Sequence, residues 1–277
     1  MRKHPIMKRF YILLTFALAA IVSGCAPKEN KIAVTAHRGF WTCEEAGYME
    51  NTVASLAQAQ ENGLWGSEFD IHITADDQIL VNHDPVLGGK NIHEMPLDSF
   101  MTMTLKNGEH PATLDDLLLI SENKPNTVLV CELKPHENPE REIVLLDKTI
   151  ECLKAHNLYN PDRVIFITFS LEMAKRVAEL CPEFTNQFLE GAERELGPQE
   201  IHDMGINGID YHFSKFYAHP EWVEQAHKLG MSVNVWTVDE EEDIKNMIDL
   251  GVDCITTNYP LKVRELLGDR ELKLNRK

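Results

Sequence analysis

The sequence predicts a TIM (β/α)8 barrel, and three observations predict it. The chain has 277 residues, and a single barrel of this kind uses about 250. Eight short apolar runs of strand length recur along it. Between most of them lie amphipathic, helix-like stretches, the alternation that builds a closed or open parallel sheet. A doubly wound sheet is the competing arrangement, but the sequence carries no glycine-rich phosphate loop.

Residues 1–24 stand apart from that core. MRKHPIMKR supplies Arg2, Lys3, Lys8 and Arg9, and the apolar run FYILLTFALAAIV follows. The run fits a signal-peptide core and is short for a membrane span. VSGC then closes it, a pattern similar to a bacterial lipoprotein signal in which Cys25 becomes the lipid-bearing first residue. A plain secretory signal or a short anchor is the alternative. The expected location is the bacterial cell envelope, on the extracytoplasmic side. Loss of the four basic residues takes the net charge from −17 to −21. A protein this acidic is a poor partner for nucleic acid, and anionic lipid would not attract its surface. Only an acyl chain on Cys25 would hold it at the membrane.

Residues 25–31 read as a polar tether, 32–268 as the barrel and 269–277 as a C-terminal tail. The strand-like runs are IAVTAH (32–37), SEFDIHIT (67–74), NTVLVCELK (126–134), RVIFITFS (163–170), TNQFLE (185–190), INGIDYH (206–212), SVNVWT (232–237) and DCITTN (253–258). QILVNHD (78–84) is a ninth, placed as the return arm of a hairpin after the second barrel strand, with ADDQ as its turn. Residues 85–112 have no strong period and read as a small insertion before the helix TLDDLLLISEN. Other helix-like stretches are 51–63, 137–157, 170–180 with Ser170 as N-cap, and 239–251. Five cysteines follow Cys25, at 43, 131, 152, 181 and 254, an odd number with no CxxC spacing. That is neither a disulfide framework nor a zinc site, although one bridge stays open. Cys131 and Cys254 fall in strand-like runs and read as small core residues.

Side chains alternate along a strand. In SEFDIHIT one face is Glu68, Asp70, His72 and Thr74, and the other is Phe69, Ile71 and Ile73. In TVLVCELK, Val128, Val130, Glu132 and Lys134 share a face. Two strands thus aim carboxylates and an amine into the barrel, where branched apolar residues are usual. Buried acids without a partner repel one another and take up protons. A hard divalent cation removes that conflict. Taken alone, Glu68 and Asp70 read as a strand with a solvent-facing side; the second strand and the nearby His37 and His83 favour a site.

HRG (37–39), EN (50–51), EFD (68–70), HD (83–84) and ELK (132–134), in that order, resemble the glycerophosphodiester phosphodiesterase family. TFS (168–170), VWTV (235–238), ITTNYP (255–260) and HPATLDDLL (110–118) agree with it. The resemblance spans about residues 33–267; each motif is weak alone, and the ordered set is specific. It implies that Glu68, Asp70 and Glu132 hold one Mg²⁺ or Ca²⁺. His37 and His83 would form the acid–base pair, and Arg38 and Lys134 would hold phosphate oxygens. Glu50 would lie beside the site, near the metal or orienting His37 and Arg38. Trp236 would line the pocket against the glycerol. The implied reaction yields sn-glycerol 3-phosphate and an alcohol. A related phospholipase acting on lysophospholipids, and a noncatalytic lipoprotein that binds a phosphorylated headgroup, are the competing readings. One departure is the long loop FWTCEEAGYM (40–49), where the family has a shorter one; Phe40, Trp41 and Tyr48 are expected to pack it down, the alternative being that they reshape the pocket for a different alcohol group.

Overall fold

The computed structural model describes residues 31–191, 193–274 and 276. The leader, Cys25 and the tether through residue 30 lie outside the described residues. Among those described, no helix is long and apolar enough to cross a membrane.

In chain order the strands are β1 (Ala33–Ala36), β2 (Gly66–Ile73), β3 (Ile79–Val81), β4 (Val86–Leu87), β5 (Lys90–Asn91), β6 (Val128–Leu133), β7 (Val164–Thr168), β8 (Thr185–Glu190), β9 (Gly208–His212), β10 (Ser232–Trp236) and β11 (Cys254–Thr257). Eight of them are parallel, and β1 pairs with both β2 and β11, which closes the expected barrel. The strand β3 runs back antiparallel on β2, with His72 opposite Leu80. ADDQ is therefore the hairpin turn, and Asp77 there takes a left-handed φ of +61°. The insertion is not featureless: β4 and β5 form a small ribbon, and Ile92 and Phe100 bury themselves against Leu80.

Each barrel strand is buried on both sides, as parallel strands under helices must be. Phe69, Ile71 and Ile73 point outward and pack with Leu117, Leu118, Leu145 and Leu146 of the covering helices. Each such side chain contributes about 1.5–3 kcal/mol on burial. The interior is two-sided. Val128, Val130, Ile165, Ile167 and Leu189 make one wall apolar. Thr35, Asp210, Asn234 and Thr256 make the other polar, and Asn234 donates to Thr256 across 3.0 Å.

Three segments differ from expectation. The first helix covers Val53–Glu61, two residues later than predicted, because Thr52 is its N-cap and Asn51 is turned away at φ +56°. Residues 270–274 are not a loose tail. Ile32 donates to Arg270 and accepts from Leu272, and Leu274 packs against the apolar interior wall. The chain therefore enters and leaves at the end of the barrel where the strands begin. The five cysteines after Cys25 are all free, so no bridge forms among them.

Candidate active site

Catalytic groups of this fold sit where the strands end, and the unusual side chains collect there. His37 and Arg38 follow β1. Arg38 has a left-handed φ of +55° and Gly39 one of +81°. This double turn aims the Arg38 amide at Glu68 Oε2, 2.7 Å away. A side chain at Gly39 would place its Cβ 2.3 Å from Ser55 Oγ, so only glycine fits the turn. The Arg38 guanidinium donates to Glu50 Oε1 at 2.8 Å and lies 3.8 Å from Asp70 Oδ2. Of the two roles expected for Glu50, the contact is with Arg38.

Asp70 and Glu132 lie side by side on β2 and β6. Lys134 Nζ is 2.8 Å from a carboxylate oxygen of each. Asn51 grips Asp70 twice, donating to Oδ2 at 2.7 Å and accepting from the Asp70 amide at 3.1 Å. One oxygen each from Glu68, Asp70 and Glu132 lies within 4.8 Å of the others. Glu68 Oε1 is buried without a hydrogen-bond partner. Three converging carboxylates, with a buried Glu68 oxygen left unpartnered, fit a hard divalent cation.

The electrostatics point the same way. Burial pushes the Glu68 carboxyl well up, and neighbouring Asp70 and Glu132 add to it. Glu132 is raised to about 8 by burial and then by Asp70. Burial also pushes Asp70 upward, but Lys134, His83 and Asn51 outweigh it and hold this carboxyl well below the usual range. Lys134 is the largest of the influences that favour the charged form of Asp70. Lys134 is raised in turn, because Glu132 and Asp70 overcome the effect of its burial.

His83 follows β3, and the hairpin returns it to the acids. Its Nδ1 lies 2.7 Å from Asp84 Oδ1, so Asp84 orients the ring. His72, unassigned from sequence, bonds the His83 carbonyl through Nε2 at 3.2 Å and His93 through Nδ1 at 3.0 Å. The insertion thereby braces the backbone of His83. His37 lies opposite, its Nδ1 2.9 Å from Asn258 Oδ1. Burial and then the charge of Arg38 lower its pKa, opposed by Asn258.

These side chains share a cavity of about 210 Å³ lined by His37, Arg38, Glu68, His83 and Glu132. Trp236 and Phe169 form an aromatic wall, edge to face, and the Trp236 indole donates to the Asp210 carbonyl at 2.8 Å. Asp210 also lines the cavity, with Oδ1 unpartnered. Sequence reading passed over Asp210, Asn51, Asn258 and His93. Strand parity was the available signal for Asp210, because INGIDYH places it two residues from His212 on the inward face. The long loop is only partly packed: Phe40 is buried and Trp41 half-buried, but Tyr48 is 63% exposed, contrary to expectation.

Asp210 carries a pH prediction. Burial raises its carboxyl to about 8, partly offset by Asn234. The folded state then holds a proton that the unfolded chain has released, so this contribution is lost as pH rises towards about 8. Between about pH 5 and about pH 8, the protein should lose about 2–4 kcal/mol more stability than Asp210→Asn. Urea unfolding of both proteins at each pH measures it; parallel curves would reject the protonated carboxyl.

The fold and cavity define an enzyme of the TIM-barrel type with an acid- and histidine-lined site at the strand ends. Residues 37–262 match the Glycerophosphoryl diester phosphodiesterase family. The chain is 29% identical over 248 residues to a glycerophosphodiester phosphodiesterase of Caldanaerobacter subterraneus subsp. tengcongensis, covering 83% of this chain and 95% of that one. A solved glycerophosphodiester phosphodiesterase of Parabacteroides distasonis is 38% identical, with a TM-score of 0.82, covering 87% of this chain and 99% of that one. The fold is shared with an Oleispira antarctica phosphodiesterase solved in complex with its product sn-glycerol-3-phosphate, at 24% identity, a TM-score of 0.74 and coverage of 86% and 97%. The chain belongs to the glycerophosphoryl diester phosphodiesterase family.

Proposed function

We propose that this enzyme hydrolyses glycerophosphodiesters to sn-glycerol 3-phosphate and an alcohol, using a divalent cation and the pair His37 and His83. The observation that carries the reading is the cavity itself, which brings both histidines, Arg38 and two of the three clustered acids to one wall-to-wall space. Glu68, Asp70 and Glu132 would hold Mg²⁺ or Ca²⁺. When bound, that ion supplies neutralisation of charge at the phosphoryl oxygens.

The chain's own groups account for the rest. A phosphodiester is anionic and resists nucleophiles, so cations must gather its oxygens. Arg38, held by Glu50, lines the cavity and would do so; Lys134, held between Asp70 and Glu132, would add its charge from beside them. One histidine takes the proton of the attacking hydroxyl, and the other gives a proton to the leaving alkoxide. The resemblance implies that the first nucleophile is the substrate's own glycerol hydroxyl. The cyclic phosphate it forms is then opened by water, with the two histidines exchanging roles. Trp236 supplies a flat apolar wall for the glycerol carbons.

The test is product analysis. Glycerophosphocholine and related diesters should release sn-glycerol 3-phosphate, measured by a coupled dehydrogenase assay. Binding without turnover in the presence of metal would sink the enzymatic reading. Faster turnover of a lysophospholipid would move the substrate class instead.

The leader supports a second proposal, that Cys25 carries a lipid and anchors the enzyme in the cell envelope. Cys25→Ala should abolish labelling by a fatty-acid probe, and labelling that persists would refute the anchor.

A further inference from the structure

We infer that Asp239 and Asn258 are positioning residues that fix the tautomer of His37, leaving Nε2 as the ring nitrogen that exchanges protons in the cavity. The inference rests on the reading of His37 as an acid–base group. Asn258 follows β11, and Asp239 lies beyond the end of β10. Asp239 Oδ2 accepts from the Asn258 side-chain amide at 2.7 Å. Its Oδ1 accepts from the Asn258 backbone at 2.8 Å and from the Thr257 hydroxyl at 2.9 Å.

A carboxylate accepts and does not donate. The NH₂ group of Asn258 is therefore the end that faces Asp239, and its carbonyl oxygen is the end that faces His37. That oxygen can only accept, so the proton between them belongs to His37 Nδ1, at 2.9 Å. A neutral imidazole has one ring proton; with Nδ1 protonated, Nε2 is bare. The same holds when His37 is charged, since the proton gained or lost is then the one on Nε2.

The long 40–49 loop belongs to this arrangement. The Trp41 indole donates to Asn258 Oδ1 at 3.3 Å, and the Thr42 hydroxyl donates to the Asn258 carbonyl at 2.5 Å. Asn258 is thus gripped from Asp239 on one side and from the loop on the other. Two residues of the loop thus bear on the amide that faces His37.

Nitrogen NMR of the ring-labelled full chain, at a pH where His37 is neutral, reads the tautomer directly. The expected signal is a protonated Nδ1 in the unaltered protein and a mixture of tautomers in Asn258→Ala and Asp239→Asn. Both variants should lower kcat by about 10–100-fold, by analogy with the partners that orient metal-bound histidines, with KM little changed. A protonated Nε2 in the unaltered protein overturns the inference, whatever the variants do and even if they fail to fold. Unchanged kcat and tautomer in folded Asn258→Ala overturns it too. His37→Ala separates the two levels: full turnover there removes the acid–base reading, while the NMR result still decides whether the ring is held.

Discussion

His37→Ala and His83→Ala are each expected to lower kcat by about 10²–10⁴-fold, the usual contribution of a positioned acid or base. The two rings stand on different supports, so their loss should look different in detail. His37 is held by a neutral amide, and burial and Arg38 lower its pKa. His83 is half-exposed and faces the carboxylate of Asp84 at 2.7 Å. Removing His83 should therefore cost little stability, and lost turnover there reports chemistry and not folding. Steady-state rates on a glycerophosphodiester, with circular dichroism as the fold control, make the measurement. Near-normal turnover in either variant would remove that histidine from the mechanism.

Removal of the divalent cation should have an effect of similar size. Chelation of the enzyme is expected to cost about 10³-fold in rate, equivalent to about 4 kcal/mol of lost charge stabilisation. Added Mg²⁺ or Ca²⁺ should restore the rate, and thermal stability should rise with it, since the folded state alone presents the site. Asp70→Asn should imitate chelation permanently. The substitution keeps the shape of the side chain but removes a carboxylate whose charged form Lys134, His83 and Asn51 favour. Saturating cation should not rescue it. Full activity in chelator, or rescue of Asp70→Asn at the concentration that saturates the parent enzyme, would count against the three-acid site.

What the sequence made readable was what a strand encodes by parity. SEFDIHIT alternates acids with large apolar residues, so Glu68, Asp70 and His72 had to share the inward face, and they do. The hairpin was legible because ADDQ separates two runs of strand composition. Contacts made by backbone reversal were not legible. Asn51 reaches Asp70 only because its own φ is positive, and helix propensity in NTVASLAQ points the other way. Asn258 and Asp239 are separated from His37 by more than 200 residues and meet it only through closure of the barrel. The segment after residue 268 looked polar enough to be a tail; its pairing with Ile32 depends on an edge that exists only once β1 is in place.

The entry point of the chain bears on where substrate comes from. The segment leading to Ile32 reaches β1 at the opposite end of the barrel from His37 and His83. If Cys25 is acylated, the seven residues 25–31 can span at most about 25 Å. An anchor joined at the strand-start end would leave the mouth of the site free to face the aqueous space, where headgroups already freed from their acyl chains would reach it by diffusion.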